Sequence, residues 1–230
     1  MTRVPEGCGV VRLLIIGAGG HGAELLSYLP SVLLPDRVQL LGFIDDGRPK
    51  GPFGSTTILG GVDVVRGLLD AEDGPTHYIT AVGDNRVRQR LVSRIDEVGE
   101  GRLRPWTLRH SATVVGQGAC VGSGVCLAPN SILTTRLTVG HHVIVNVNAS
   151  VSHDCQIGDF VNLNPGVTIC GNVRIGRGAY IGAGATIIDK VSVGDWAVVG
   201  AGAVVIRDVP PSVTAVGVPA RIVERPAPVS

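Results

Sequence analysis

A histidine and an aspartate stand side by side at His153 and Asp154, within "ASVSHDCQIGD" (Ala149–Asp159). An imidazole titrates near neutral pH, and a neighbouring carboxylate stabilises its protonated form and raises its basicity. Such a pair could serve as a general base, a role worth roughly 10²–10⁴ in rate. It could also be a solvated histidine on a surface corner. A second set lies in "IIGAGGHG" (Ile15–Gly22), where Gly17, Gly19 and Gly22 satisfy GxGxxG. A glycine turn between a strand and a helix directs backbone N–H groups at a phosphate. His21 lies inside that turn, either capping it or touching a pyrophosphate. Asp45 and Asp46 end "GFIDD" (Gly42–Asp46), well placed to accept ribose hydroxyls.

The element that carries His153 is a repeat. Every sixth residue from Val115 to Val205 is aliphatic, through Val121, Leu127, Leu133, Val139, Val145, Val151, Ile157 and onward. Two residues before each rung the side chain is small or aliphatic, with Thr113 and Ser131 the polar cases. A period of six fits no 3.6-residue helix, but it fits short strands in which i and i−2 face one side. Three such units close a triangular coil. Gly122, Gly140, Gly158, Gly176 and Gly194, spaced by eighteen, form one column at one corner. Positive φ is the expected reason for that column. Residues eighteen apart should then stack about 4.8 Å apart, which sets Gly171 one coil above His153. No insertion interrupts the ladder between Thr113 and Arg207. A smooth prism offers no cleft, so a pocket must form against another chain or against the N-terminal region.

Composition agrees with a repeat. The chain has 230 residues, 44% of them hydrophobic but only 3% aromatic, with 33 glycines. Net charge is +1 with no basic block, which argues against nucleic acid. The start, "MTRVPEGCGVVR", lacks the shape of a signal peptide. No apolar run approaches the roughly 20 residues that cross a bilayer, so no membrane insertion is expected. Cys8, Cys120, Cys126, Cys155 and Cys170 show no CxxC spacing and read as buried small residues of a reducing, cytoplasmic compartment.

The N-terminal region reads as a small parallel α/β unit. "VVRLLIIGAGGHGAELLSYL" is a strand, a turn and a helix from about Gly20; "VQLLGFIDD" is a second strand; "THYITAVGDNRVRQRL" runs from a third through Gly83 into another helix. Only one mononucleotide half fits before the ladder begins, so a nucleotide-diphosphate ligand is favoured over NAD. A purely structural turn is the remaining reading.

Taken together, "IIGAGGHG", "GFIDD", "AVGDNR" (Ala81–Arg86), "SVSHDCQIGDF" (Ser150–Phe160), "GNVRIG" (Gly171–Gly176) and "GVPAR" (Gly217–Arg221) resemble one family in order and spacing. It is that of the sugar O- and N-acetyltransferases, of the sialic acid acetyltransferase and bacillosamine-pathway type. The resemblance implies a Rossmann-like α/β domain over 1–108 and a left-handed parallel β-helix over 109–230. It implies acetyl-CoA as cosubstrate, and transfer to the 4-amino group of a nucleotide-linked amino sugar, UDP favoured. It also implies a homotrimer with active sites between subunits. By resemblance His153 is the general base, Asp154 its partner, Asn146 the residue that orients it, and Gly171 the N–H donor to the thioester oxyanion. Gly19, Gly20, His21, Asp45, Asp46 and Gly83 fall to the nucleotide sugar. Ala183, Ala201 and Arg221 fall to acetyl-CoA together with Gly171, and so does Asn162, which stands where relatives carry a histidine. Alternatives are O-acetylation of sialic acid or another sugar hydroxyl, and a non-catalytic nucleotide-sugar-binding trimer. No metal is expected. His141, His142 and His153 are twelve or eleven apart and share no column. His77 and His110 read as structural or solvated.

Overall fold

A computed structural model describes residues 10–33, 38–70 and 75–223. Cys8, most of the N-terminal stretch and the residues after 223 lie outside the described residues. The chain divides into two compact units that meet between Ser111 and Ala112.

The first unit contains β1 (Val11–Ile16), α1 (Gly20–Tyr28), β2 (Val38–Ile44), β3 (Gly51–Phe53), β4 (Thr56–Gly60), α2 (Val65–Asp70), β5 (Thr76–Thr80), α3 (Asn85–Gly99) and β6 (Leu103–Pro105). Its sheet runs β3-β4-β2-β1-β5-β6. The β3–β4 pair is antiparallel and the rest are parallel. β1 is central, and its run Leu13, Leu14, Ile15 and Ile16 is buried on both faces, as a parallel strand under helices requires. Strand order reverses beside β1: the chain moves to β2 on one side and returns through β5 on the other. The β1–α1 and β5–α3 turns therefore flank a topological switch point, where open α/β sheets hold ligands. Asp84 caps α3 by accepting from Val87 N at 2.8 Å. The buried Arg88 braces the same turn by donating to Val82 O at 2.8 Å. The short strands β3, β4 and β6 add to the three read from sequence.

The second unit is a three-sided coil of two-residue strands. One face stacks Val114–Val115, Ile132–Leu133, Ser150–Val151, Thr168–Ile169, Thr186–Ile187 and Val204–Val205. The next stacks Cys120–Val121, Thr138–Val139, Gln156–Ile157, Arg174–Ile175 and Ser192–Val193. The third stacks Cys126–Leu127, Ile144–Val145, Asn162–Leu163, Tyr180–Ile181 and Val198–Val199. It is continued by Thr214–Val216 and by the antiparallel Arg221–Val223. Every parallel pair within the ladder joins i to i+18, the register the repeat predicts. The rungs from Leu127 to Val205 are buried and form one continuous core. Each fully buried aliphatic side chain contributes roughly 1.5–3 kcal/mol gross. The two polar inward positions are satisfied by stacking: Ser131 Oγ donates to Thr113 Oγ1 at 3.3 Å, and Thr113 Oγ1 to Leu127 O at 3.3 Å.

The expected reason for the glycine column is corrected. Positive φ falls at every sixth residue from Gly118 to Gly202, a series that includes Asn130, Arg136, His142, Asp154, Phe160, Lys190 and Trp196. Gly122, Gly140, Gly158, Gly176 and Gly194 are not among the positive-φ glycines. Close approach selects them instead. A Cβ on Gly158 would lie 2.7 Å from Arg177 N, and one on Gly194 2.4 Å from Pro211 N. The cysteine reading is corrected too: Cys126 and Cys155 are buried, but Cys120 is exposed and Cys170 partly so. Among the described residues no helix is long and apolar enough to cross a membrane.

Candidate active site

His153 sits at the corner between the first and second faces, following Ser150–Val151 and preceding Gln156–Ile157. Its Nδ1 is 2.7 Å from Asp154 Oδ2. An ionised carboxylate only accepts, so Nδ1 must carry the proton, and Nε2 is left with its lone pair. Asp154 occupies one of the left-handed corner positions, φ +61°, and its amide donates to Thr135 O at 3.2 Å. From the coil below, Arg136 grips the same carboxylate with two bonds, Nε to Oδ1 and Nη2 to Oδ2, both 2.9 Å. Arg136, followed by His153, holds the Asp154 carboxyl at about 2 against its ordinary 3.8. The imidazole is half exposed.

Gly171 stacks directly above. A Cβ there would lie 2.7 Å from His153 Cε1 and 2.8 Å from Nε2, so the missing side chain makes the space the ring occupies. Gly171 N donates to Asp189 Oδ1 at 2.8 Å. That amide can meet an oxyanion only after Asp189 turns away. Nearby, burial pushes the Cys155 and Cys170 thiols up, Asp154 adding to the first and Asp189 to the second.

The other expected residues lie elsewhere on the coil. Asn146, Ala183 and Ala201 follow strands of the third face and share the corner leading to the first. Asn146 Oδ1 accepts from Val147 N at 2.7 Å. Within one chain Asn146 Oδ1 is thus engaged away from His153, whose Nδ1 instead contacts Asp154. Asn162, on the third face, is only 2% exposed and so presents little surface to a cosubstrate. Arg221 is exposed and donates to Ala220 O at 3.0 Å. Sequence reasoning missed Arg136 and Asp189. Both could have been found by counting eighteen residues back from Asp154 and eighteen forward from Gly171.

In the first unit the glycines separate by role. Gly17 has φ +109°, and a Cβ on Gly22 would lie 2.4 Å from Gly17 O; these two shape the turn. Around Gly19, Gly20 and Gly83 a Cβ would meet nothing within 4 Å, which leaves open space at the starts of α1 and α3. His21 Nδ1 is 3.0 Å from Glu24 Oε2, and its Nε2 is buried with no partner among the described residues. Asp45 already accepts from Ala18 N at 2.6 Å and Gly47 N at 2.8 Å. Asp46 accepts from Val62 N at 2.9 Å and pairs with Arg94 at 2.6 Å. Asp45 thus braces the glycine turn and Asp46 the start of the Val62 segment first, although a carboxylate keeps about four acceptor sites.

His141 is a structural residue: its Nδ1 accepts from Ser123 N at 3.1 Å. His142 stacks on Phe160, centroids 5.2 Å apart. Among the described residues no group of three or more His, Cys, Asp or Glu could hold a metal. His77 is shifted down, by burial first and Arg104 second. His110 packs edge-on against Tyr28.

Residues 12–95 match the PglD N-terminal domain family, and residues 172–207 match the bacterial transferase hexapeptide (six repeats). A curated relative, GDP-perosamine N-acetyltransferase of Escherichia coli O157:H7, is 32% identical over 143 residues, 61% of this chain and 62% of that protein. The match thus spans under two thirds of that relative's length. Solved structures align further. PerB of Caulobacter crescentus, in complex with CoA and GDP-perosamine, is 30% identical with TM-score 0.85, covering 94% of this chain and 99% of that one. The acetyltransferase domain of PglB from Neisseria gonorrhoeae, in complex with acetyl coenzyme A, is 29% identical with TM-score 0.81, covering 94% and 100%. WeeI of Acinetobacter baumannii is 31% identical with TM-score 0.80, covering 93% and 100%. The repeat and the fold place the chain in the hexapeptide-repeat transferase class. Within it, this chain belongs to the sugar O-/N-acetyltransferase family of hexapeptide-repeat acyltransferases.

Proposed function

We propose that this protein is an acetyl-CoA-dependent N-acetyltransferase acting on the 4-amino group of a nucleotide-linked amino-deoxy sugar, with His153 as general base. The observation that carries this is the Nδ1–Asp154 contact beneath the side-chain-free Gly171, which leaves Nε2 as a free acceptor. The acceptor amine attacks the thioester carbonyl carbon while Nε2 takes its proton. The tetrahedral oxyanion then collapses, the C–S bond breaks, and the imidazolium returns the proton to the CoA sulfur. The amide and free CoA are the products. Gly171 N–H is the oxyanion donor in this scheme, with Asp189 displaced as the thioester arrives. The open glycine turns and the unpartnered His21 Nε2 support a diphosphate at the switch point. Asp45 and Asp46 use their remaining acceptor sites for ribose.

Because Asn146, Ala183 and Ala201 share a different corner from His153, the complete site forms where two copies meet, in a homotrimer. Acetyl-CoA runs along the Ala183–Ala201 corner, with Arg221 near its phosphates. Its two substrates are cytoplasmic metabolites, and the protein acts in that compartment. The resemblance favours UDP as the nucleotide; the GDP-perosamine of two relatives gives GDP equal standing in a first assay. The test follows free thiol with acetyl-CoA and a panel of UDP-, GDP- and dTDP-linked 4-amino sugars, subtracting the protein's own thiols, of which Cys120 is exposed. Release with one member, abolished by His153→Ala, is expected. Release only with sialic acid or a plain hydroxyl sugar would replace N- by O-acetylation. Silence in both sets by a folded trimer that binds acetyl-CoA would favour the non-catalytic reading.

A further inference from the structure

We propose that Arg136 is a positioning residue for the reaction, fixing Asp154 so that one carboxylate oxygen faces His153 Nδ1; this rests on the reading of His153 as base. The geometry is specific. Arg136 lies one coil below Asp154 and meets both of its oxygens with a two-pronged fork, each bond 2.9 Å. Such a fork fixes the plane of a carboxylate as well as its distance. Oδ2, held by Nη2, is the oxygen that stands 2.7 Å from Nδ1. Aspartate has a short reach, and Asp154 is solvent-accessible on a corner. Without the fork its carboxylate could rotate about χ2 and leave the imidazole free to turn. Among the described residues the Arg136 guanidinium makes no hydrogen bond or ion pair except with Asp154.

The test compares Arg136→Gln, Arg136→Lys and His153→Ala as intact oligomers with matched thermal melts, using the acceptor found in the thiol assay. Arg136→Gln is expected to lose up to about 100-fold in kcat, the scale of a misplaced catalytic group, with KM for acetyl-CoA little changed. Arg136→Lys should restore part of kcat, since it supplies a charged donor but lacks the fork. An unchanged kcat in Arg136→Gln would overturn the proposal. So would equal kcat losses in Gln and Lys accompanied by a matching rise in KM, which is what a merely structural role gives. If His153→Ala kept full activity, the base itself would be wrong, and that failure is read separately from the arginine pair.

Discussion

Asp154 is ionised throughout the range in which an imidazole titrates, because Arg136 and His153 hold its carboxyl at about 2. A folded-state value below the ordinary one stabilises the fold above about pH 4, and that contribution is lost as pH falls through about 2. Nothing changes at Asp154 between pH 5 and 8, so an activity loss on mild acidification does not arise at that carboxylate. The ring's position depends on an atom that is missing. Gly171 is not a positive-φ residue, so alanine suits its backbone, and the strain of Gly171→Ala falls on His153, whose Cε1 would be 2.7 Å from the new Cβ. Gly171→Ala is therefore expected to retain a melting temperature within a few degrees of the parent while kcat falls by about 100-fold. Adding it to His153→Ala should cost nothing more. A Gly171→Ala enzyme with parental kcat would mean that the ring works from another position.

At the scale of the element, two kinds of glycine occur at the corners of one coil. Gly158 faces backbone, with Arg177 N 2.7 Å from a built Cβ, whereas Gly184 has φ +67° and nothing within 4 Å. Gly184→Ala meets only left-handed strain, about 1–2 kcal/mol. Gly158→Ala forces two coils apart, an overpacking of about 1–3 kcal/mol that a rigid stack cannot relieve locally. Denaturation midpoints should place Gly158→Ala clearly below Gly184→Ala; the reverse order would remove close approach as the reason for the column. This contrast marks what the sequence could carry. The ladder was legible because one inward position recurs with a fixed period, and burial demands the same chemistry each time. Corner conformation was not, because Arg136, Phe160, Lys190 and Trp196 adopt positive φ without being glycine. His153 and Asp154 were legible as neighbours in the chain. Arg136 was hidden because its contact with Asp154 runs between coils, as does that of Gly171 with Asp189. The strands β3 and β6 are three residues long, too short for an alternating pattern to stand out.

At the scale of the molecule, the placement of Asn146 matters most. One chain carries His153 on one corner and Asn146 on another, with Asn146 Oδ1 turned to Val147 N. In the homotrimer proposed above, the His153 corner of one copy would meet the Asn146 corner of the next, by the same rotation at each interface. Two separately inactive variants should then repair each other. A His153→Ala chain still supplies Asn146, and an Asn146→Ala chain still supplies His153. Either mixed trimer contains one interface with both residues intact. If three-quarters of randomly assembled trimers are mixed and each has one working site of three, about a quarter of parental activity returns. Co-refolding the two variants at equal concentration and following thiol release measures this directly. Recovery near that level would place His153 and Asn146 of different chains in one site. No recovery, with trimers confirmed by sedimentation and Asn146→Ala inactive by itself, would mean that each chain completes its own site and that Asn146 acts only through the turn it caps.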